Sequence, residues 1–529
     1  MIRVKNLPIK WVVGFVILLF VVLPISADAM DRDMLMGGET AQGEVGSFFH
    51  RFEMLIGTVF TFYTIFIALV IFMENRNPSK TIAWLLILFL VPVVGFIFYL
   101  FLGQNFRKRT IFKKKRDIDF EKFQDIAKHQ RQAIKDRDLF KDDESFVKKR
   151  LISLILNNAN APFTVNNQSK VLTNGGETFE EITQALKAAK HHIHLEYFII
   201  KEDGIGGVIK RILIDKAKGG IKVRLIYDSV GSWRLSKAYL NEMKEAGIEI
   251  HSFLPVYFPI MSRELNYRNH RKIIVVDGKT GFLGGLNIGD EYLGGDPHLG
   301  FWRDTHLRIE GEAVYGLQNI FFKDWHFVSK QQLPYDDVFF PKLPHFGEQL
   351  IQIAASGPDS DWESIMQAYF ATISSAEDRI WINTPYLVPD ESIMMALRTA
   401  ALSGVDVRII LPSYPDHHMV FWASMSNIEE LLRAGVKVYK YTKGFMHGKI
   451  LLVDGIAASI GTANLDIRSF QINFEVNAFI YDKEIVERME KDFYMDIEDS
   501  KELILEEYLK RPILEKIKEA TGRLMSPLL

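Results

Sequence analysis

The 529-residue sequence contains no cysteine, and this absence excludes disulfide bonds, thiolate metal sites and a cysteine nucleophile. It also lacks an excess of charge of one sign, because 64 Lys and Arg residues stand against 66 Asp and Glu residues. General nucleic-acid binders usually carry a basic excess, so this balance argues against a nucleic-acid partner. Apolar residues make up 48% of the chain, which is enough for a substantial core in two or three domains.

Long apolar runs are concentrated in the first hundred residues. Met54–Met73 and Ala83–Leu102 each contain no charged residue. At a rise of about 1.5 Å per residue, each run would span about 30 Å, the thickness of a bilayer core, so we predict a transmembrane helical hairpin over residues 51–106. An earlier run, Trp11–Ile25, is shorter and is followed by the sequence SADA. Residues 1–50 therefore hold either a cleaved signal peptide or a further anchor, followed by a linker.

A cluster of cations follows the second run and bears on topology. Its members are Arg107, Lys108, Arg109, Lys113, Lys114, Lys115 and Arg116. Cations beside a membrane exit favour the cytoplasmic side and suit anionic lipid headgroups. The C-terminal part is thus expected in the cytoplasm. If Trp11–Ile25 spans the membrane or is cleaved as a signal peptide, the number of crossings instead places the C-terminal part outside. Residues 107–160 are interpreted as a basic, solvated, helical linker beside the membrane.

The rest of the chain is organised as two similar halves, residues 161–335 and 336–500. In each half, helical patterns alternate with short apolar strands such as KVRLIY (222–227) and DVRIIL (406–411). Such alternation indicates an α/β fold with two pseudo-repeated halves and mainly parallel central sheets. Residues 501–529 are predicted to form a C-terminal amphipathic packing helix. The first half carries eleven extra residues within 254–268, which we place in a surface loop beside the active site.

One short motif occurs once in each half, as HRKIIVVD (270–277) and HGKILLVD (447–454). Its shared residues are His270, Lys272, Asp277, His447, Lys449 and Asp454. Each copy leads into an apolar strand, where alternation places His and Lys on one face and Asp on the other. We therefore assign the histidines and lysines to the chemistry and expect Asp277 and Asp454 to anchor a turn or a neighbouring strand.

Two histidines and two lysines in one site suit phosphoryl transfer. One neutral imidazole can attack phosphorus to form a phosphohistidine, while the other, protonated, donates its proton to the leaving alkoxide. The lysines supply fixed cations for phosphate, and Asn287 and Asn464, each seventeen residues after its histidine, can donate to phosphate oxygens. This scheme requires no metal and no cofactor. Asp304 follows His270 and Glu475 follows His447, and both carboxylates are candidates to orient an imidazole through Nδ1.

These strings resemble the phospholipase D superfamily and, within it, the bacterial cardiolipin synthases. The resemblance runs from about residue 55 to 500 and includes NHRKIIVVDG, GGLNIGDEYLG, FWRDTHLRIEG, TPYLVPDES and FMHGKILLVDG. It implies that His270 is the nucleophile and His447 the general acid/base, although the near-symmetric site leaves their order open. It further implies a phosphatidyltransferase of the bacterial inner membrane that converts two phosphatidylglycerol molecules into cardiolipin and glycerol. The oligomeric state stays open, and a homo-oligomer is one alternative.

Three other kinds of function share parts of this pattern. A hydrolytic phospholipase D, or another transphosphatidylase, would use the same motifs, because acceptor choice depends on pocket shape. A nuclease of the superfamily is disfavoured by the membrane hairpin and the missing basic excess. A non-catalytic membrane scaffold is disfavoured because both motifs are intact.

Overall fold

The computed structural model describes separate positions between residues 50 and 115 and then, continuously, residues 121–135, 146–256 and 266–526. It divides into two compact units, Met1–Phe106 and Arg107–Leu529. In the first unit, helix α1 spans Pro78–Leu90. Among the residues described, we find no helix with both the length and the apolar character that a membrane crossing demands.

Several predictions from the sequence fall on residues outside this description. The whole of Trp11–Ile25, much of Met54–Met73 and Ala83–Leu102, and residues 257–265 of the inserted loop belong to this group. The signal-or-anchor alternative, the transmembrane hairpin and the surface loop therefore stay predictions.

The second unit contains two large mixed sheets flanked by helices. Its helices are α2 (Glu121–Lys135), α3 (Phe146–Asn158), α4 (Asn174–Ala188), α5 (Gly204–Lys218), α6 (Lys237–Glu245), α7 (Ala313–Ser329), α8 (Ser364–Ser374), α9 (Glu391–Leu402), α10 (His418–Ser426), α11 (Ile428–Arg433), α12 (Ile467–Gln471), α13 (Lys483–Glu498), α14 (Leu505–Leu509) and α15 (Ile513–Met525). A single 3-10 turn, Asp290–Leu293, lies among those described.

The strands of the first sheet come from the first half of the chain. They are β2 (Asn167–Thr173), β3 (His192–Tyr197), β4 (Lys222–Asp228), β5 (Glu249–Phe253), β6 (Ile273–Val276), β7 (Thr280–Gly284) and β9 (Thr305–Gly311), and their order is β2-β9-β7-β6-β3-β4-β5. The motif strand β6 therefore lies at the centre of the sheet.

The second sheet repeats this arrangement. Its strands are β1 (Phe163–Thr164), β10 (Ile351–Ser356), β11 (Arg379–Asn383), β13 (Asp406–Pro412), β14 (Lys437–Tyr441), β16 (Ile450–Val453), β17 (Ala457–Gly461), β19 (Glu475–Ile480) and β20 (Ser500–Glu502), in the order β1-β10-β19-β17-β16-β11-β13-β14-β20. From β10 to β14 each strand corresponds in order to one strand of the first sheet, with motif strand β16 in the place of β6. The two pseudo-repeated halves are thus confirmed.

The expectation of mainly parallel sheets is wrong. Only β3-β4-β5 and β11-β13-β14, whose connections contain helices, are parallel, and the other pairings in the two sheets are antiparallel. After each motif strand the chain turns back directly: β6 pairs with β7, and β16 with β17. A hairpin needs only a short turn, whereas a parallel neighbour needs a crossover. The missing helical pattern after residues 277 and 454 was the signal for this.

The two sheets share a core, which explains the uninterrupted apolar runs of the motif strands. Ile273 and Val275 of β6 are buried with Ile450 and Leu452 of β16 in one cluster between the sheets. Their neighbours in sequence point to the opposite faces and pack against helices. A strand buried on both faces is expected to be apolar at every position.

The start of the first half, and the helix before it, pack with the second half. Strand β1 pairs with β10, and Leu151, Ile152 and Ile155 of α3 are buried in the second half's core. The interpretation of residues 107–160 as a solvated linker is therefore wrong for α3. It is also wrong for Lys115, which is only 3% exposed because it pairs with two carboxylates in the same unit.

Candidate active site

Each motif histidine is held by backbone pairing with the opposite half. The N–H of His270 donates to the carbonyl of Phe474 at 3.0 Å, and the N–H of His447 donates to the carbonyl of Arg303 at 2.7 Å. Around the second contact, β15 (Gly444–Met446) pairs in parallel with β8 (Phe301–Arg303). The residue after each accepting carbonyl is a carboxylate, so this pairing places the histidine of one half beside the carboxylate of the other.

The imidazole–carboxylate pairs are consequently crossed between the halves. His270 Nδ1 lies 2.9 Å from Glu475 Oε2, and His447 Nδ1 lies 2.7 Å from Asp304 Oδ2. In sequence each carboxylate follows the histidine of its own half, and that order gave no sign of the exchange. With Nδ1 committed to a carboxylate, Nε2 is the ring nitrogen of each histidine that is free for chemistry.

Both carboxylates are fully buried and held by further donors. The hydroxyl of Thr462 donates to Glu475 Oε2, and Asn473 donates to Oε1 at 3.3 Å. The backbone N–H of Thr305 donates to Asp304 Oδ1 at 2.8 Å. A Cβ at Gly285, the position equivalent to Thr462, would lie 2.1 Å from Asp304 Oδ1. The glycine is therefore needed to make room for the carboxylate.

The two motif lysines are buried beside the histidines. Lys272 Nζ donates to the carbonyl of His270 at 2.8 Å, and Lys449 Nζ donates to the carbonyl of His447 at 2.6 Å. Burial lowers the pKa of Lys272 to about 7 and that of Lys449 to about 8, against the attraction of nearby carboxylates. Both ammonium groups are thus desolvated cations that an anionic ligand would stabilise.

Burial also favours the neutral form of both imidazoles. It lowers the pKa of His270, and it lowers the pKa of His447 to about 4 with help from the Lys449 ammonium. For Asp304, burial raises the pKa, but Lys449 and His447 outweigh it and the net direction is downward. The unliganded site therefore holds a carboxylate and neutral imidazoles at neutral pH, and one imidazole is available as a nucleophile.

The two asparagines lie at equivalent buried positions. Asn287 Nδ2 donates to the hydroxyl of Tyr292 at 3.0 Å, and its Oδ1 accepts from the N–H of Ile199 at 3.2 Å. Asn464 Oδ1 has no hydrogen-bond partner among the residues that the structure describes. The amide oxygen of Asn464, unlike that of Asn287, is thus not used by a donor of the described protein.

The motif aspartates lie away from the imidazoles and hold turns. The carboxylate of Asp277 accepts from the N–H groups of residues 190, 191 and 192 at 2.8–3.0 Å, and that of Asp454 accepts from residues 377, 378 and 379 at 2.8–2.9 Å. Both have positive φ, of 55° and 53°. Each aspartate thus fixes the hairpin after its motif strand to the start of the adjacent strand.

A buried ionic network behind His270 was missed by reasoning from the sequence. Arg271 donates through Nε to the carbonyl of Glu475 at 3.2 Å and pairs with Asp324, which also binds Lys115 at 2.7 Å. The signal available in the sequence was the position of Arg271 between His270 and Lys272. Because side chains alternate in an extended segment, Arg271 must point away from the site into which His270 and Lys272 point. Within the described part of the chain, no group of three or more His, Cys, Asp or Glu side chains is arranged to hold a metal ion.

Comparison with known proteins identifies relatives of this chain. The family model described as "Cardiolipin synthase, PLD-like domain" matches residues 182–325 and 369–497, and the model described as "Phospholipase_D-nuclease N-terminal" matches residues 60–104. A cardiolipin synthase of Geobacillus sp. (strain WCH70) is 48% identical over 88% of this chain and 92% of that protein. The major cardiolipin synthase of Bacillus subtilis (strain 168) is 44% identical over 90% of this chain and 99% of that protein.

Among solved structures, the crystal structure of a phosphatidylserine synthase from Haemophilus influenzae Rd KW20 is similar. The TM-score is 0.54 at 16% identity, and the match covers 71% of this chain and 96% of that one. At this identity the likeness concerns the fold alone.

Proposed function

This chain belongs to the bacterial cardiolipin synthases of the phospholipase D superfamily, and we propose that its crossed histidine pairs catalyse the transfer of a phosphatidyl group between two phosphatidylglycerol molecules. The products are cardiolipin and glycerol. The observation that carries this proposal is the meeting of two buried imidazole–carboxylate pairs and two buried lysines in one site, where, in addition to burial, the Lys449 ammonium lowers the pKa of His270 and the Lys272 ammonium lowers that of His447. The enzyme is a phosphatidyltransferase, and its chemistry is assigned to residues 161–500.

In the first step, Nε2 of neutral His270 attacks the phosphorus of the donor lipid. The bond between phosphorus and the glycerol oxygen breaks, and protonated His447 gives its Nε2 proton to that oxygen. The ring of His270 gains positive charge as the P–N bond forms, and Glu475 stabilises this charge through Nδ1–H. The result is a phosphatidyl-histidine and free glycerol.

In the second step, a glycerol hydroxyl of the acceptor lipid attacks the same phosphorus. His447, now neutral, takes the hydroxyl proton, and the P–N bond to His270 breaks. Two phosphatidylglycerol molecules have then become one cardiolipin and one glycerol, and both histidines have returned to their starting protonation. The assignment of His270 as the nucleophile follows the family resemblance, and the near-symmetric geometry accommodates either order.

The charge of the phosphodiester prepares His447 for its role as an acid. Without ligand, the pKa of His447 is lowered to about 4. A unit negative charge about 4 Å away, at an effective dielectric constant of about 20, contributes about 4 kcal/mol in favour of the imidazolium. That is enough to bring the group into the neutral range. The same anion stabilises the ammonium forms of Lys272 and Lys449, which with Asn287 and Asn464 are the proposed phosphate ligands.

We further propose that the N-terminal unit attaches the enzyme to the bacterial cell membrane, where both substrates are concentrated in two dimensions. The apolar runs and the family match over residues 60–104 support this attachment. The cation cluster that follows favours a catalytic unit on the cytoplasmic side.

Product analysis with defined lipids tests the proposed reaction. Vesicles of phosphatidylglycerol labelled in the headgroup glycerol are incubated with the full chain, and lipids and glycerol are separated. Cardiolipin with an equal amount of released glycerol is expected, whereas phosphatidic acid without cardiolipin would establish a hydrolase instead. His270→Ala and His447→Ala should both lose turnover, and a phosphoenzyme should accumulate only in His447→Ala. Its accumulation in His270→Ala would reverse the two roles.

A further inference from the structure

The C-terminal helix α15 exposes its large apolar residues and buries an acidic one. Ile513 and Leu524 are 73% and 80% exposed, and Ile517 lies on the same face between them, whereas Glu519 is only 7% exposed. Leu514 adds to the exposed apolar face. A helix that merely packs on a soluble domain shows the reverse pattern, with its apolar stripe against the core. The exposed face of α15 therefore calls for a partner.

Specific contacts fix the helix in this orientation. Arg511 donates to the Glu519 carboxylate at 2.8–3.0 Å, and the hydroxyl of Tyr508 lies 3.3 Å from it. A Cβ at Gly522 would lie 2.4 Å from the backbone nitrogen of Ala423 in α10, so only glycine allows this approach. A rotation of α15 about its own axis that buried the apolar face would break the Arg511–Glu519 ion pair and the close packing of Gly522 against Ala423. The exposed face is therefore a built feature of the fold.

Helix α15 also lies close to the proposed phosphate site. It packs against α10, and the hydroxyl of Ser424 in α10 accepts the N–H of Leu387 at 3.0 Å. Leu387 begins β12 (Leu387–Val388), which pairs with β18 (Leu465–Asp466), the strand directly after Asn464. A surface that contacts α15 is thus separated from the site by only one helix and one short strand pair.

The charge around the exposed face identifies the partner. Apart from the Arg511–Glu519 pair, residues 510–526 contain four cations, Lys510, Lys516, Lys518 and Arg523, and one acidic residue, Glu515. An apolar helix face flanked by excess cations is typical of helices that lie in the surface of an anionic bilayer. We propose that α15 docks on anionic phospholipid, with Ile513, Leu514, Ile517 and Leu524 among the acyl chains. This inference rests on the proposed function, because docking there presents the site to its lipid substrates.

The missing cysteines make a direct test possible, since one introduced cysteine is a unique labelling site. Full-length Ile517→Cys carries an environment-sensitive fluorophore and is reconstituted in phosphatidylglycerol vesicles that contain a brominated phosphatidylcholine. The control is Val338→Cys, because Val338 is 56% exposed and lies far from His270. The next residue, Phe339, contacts Gly278, which is in the hairpin turn after motif strand β6, whereas His270 precedes that strand.

Bromolipid quenching is expected to be several-fold stronger at residue 517 than at residue 338. The difference should shrink in vesicles of phosphatidylcholine alone, because the cations then lack an anionic partner. Equal quenching at the two positions would overturn the proposal. A spectral shift at residue 517 that needs no lipid and grows with protein concentration would also overturn it, in favour of a second copy as the partner.

An activity test separates docking from chemistry. The triple variant Ile513→Gln, Ile517→Gln, Leu524→Gln is assayed with vesicular phosphatidylglycerol and with a short-chain, water-soluble phosphatidylglycerol. The ratio of vesicular to soluble turnover should fall about tenfold, while the thermal midpoint stays unchanged because these side chains are exposed. An unchanged ratio contradicts the docking. Absence of cardiolipin from the wild type with either substrate would instead reject the proposed function.

Discussion

The crossed pairs predict that each carboxylate serves the histidine of the other half. Glu475→Gln should slow formation of the phosphohistidine on His270, and Asp304→Asn should impair proton transfer by His447. In each variant a neutral amide replaces a buried carboxylate that lies 2.7–2.9 Å from an imidazole nitrogen. Opposite charges about 4 Å apart at an effective dielectric constant of about 20 interact by about 4 kcal/mol. The affected step should therefore slow by about a thousandfold.

A donor with a good leaving group separates the two steps. A p-nitrophenyl ester of phosphatidic acid releases nitrophenolate without needing an acid, so the first step depends on His270 and Glu475 alone. In stopped-flow experiments Asp304→Asn should give a burst of nitrophenolate close to one equivalent at nearly the wild-type rate, followed by slow turnover. Glu475→Gln should lose the burst.

His270→Ala and His447→Ala are the matched controls for these carboxylate variants. The reasoning fails if His270→Ala abolishes the burst while Glu475→Gln retains it and Asp304→Asn loses it. If the His447 and Asp304 variants lose the burst while the His270 and Glu475 variants keep it, the crossed pairing still holds. Only the identity of the nucleophile then changes.

Three further predictions concern the frame and the cations of the site. Asp277→Ala should lower the free energy of unfolding by about 3 kcal/mol and Asp277→Asn by about 1 kcal/mol, because Asn keeps one acceptor and tolerates positive φ. Urea unfolding measures both losses, and equal losses in the two variants would contradict this prediction. Lys115→Met should lower the free energy of unfolding by about 3 kcal/mol, because buried Asp324 then keeps only Arg271 and Asp359 loses its Lys115 partner, whereas exposed Lys128→Met should cost nothing measurable; equal thermal midpoints would refute the difference. Tungstate binding near pH 9, where the imidazoles stay neutral, should take up protons because the anion raises lysine pKa values of about 7 and about 8, and its affinity should fall as pH rises above those values. Calorimetry in buffers of different ionisation enthalpy would show no uptake at this pH if the lysines stay charged without ligand.

The sequence predicted the repeat and the members of the site better than it predicted their arrangement. The two motifs reveal the duplicated halves because His270 and His447 sit in the same local pattern. The partners of these histidines depend on contacts between segments about 140 and 205 residues apart, and spacing along one half carries no information about them. The antiparallel hairpins at residues 277 and 454 were also missed, although the absence of a helical pattern directly after each motif indicates them.

The C-terminal helix shows a second limit of pattern reasoning. An amphipathic sequence at 501–529 predicts a helix, and α15 confirms one, but periodicity cannot tell which face meets the protein. Glu519 and Gly522 decide this through an ion pair and a close backbone approach, and both are long-range features. The apolar face that would ordinarily be assigned to the core is therefore the exposed one.

The backbone pairing between the halves has a consequence for the protein during its synthesis. During translation His270 leaves the ribosome long before Glu475 exists, and Asp304 likewise waits for His447. A nascent or truncated first half therefore contains neither completed imidazole–carboxylate pair, and it lacks the second sheet with which its own sheet shares a core. Under the proposed mechanism, which needs both pairs, the chain gains its phosphatidyl-transfer activity only after synthesis has passed Glu475.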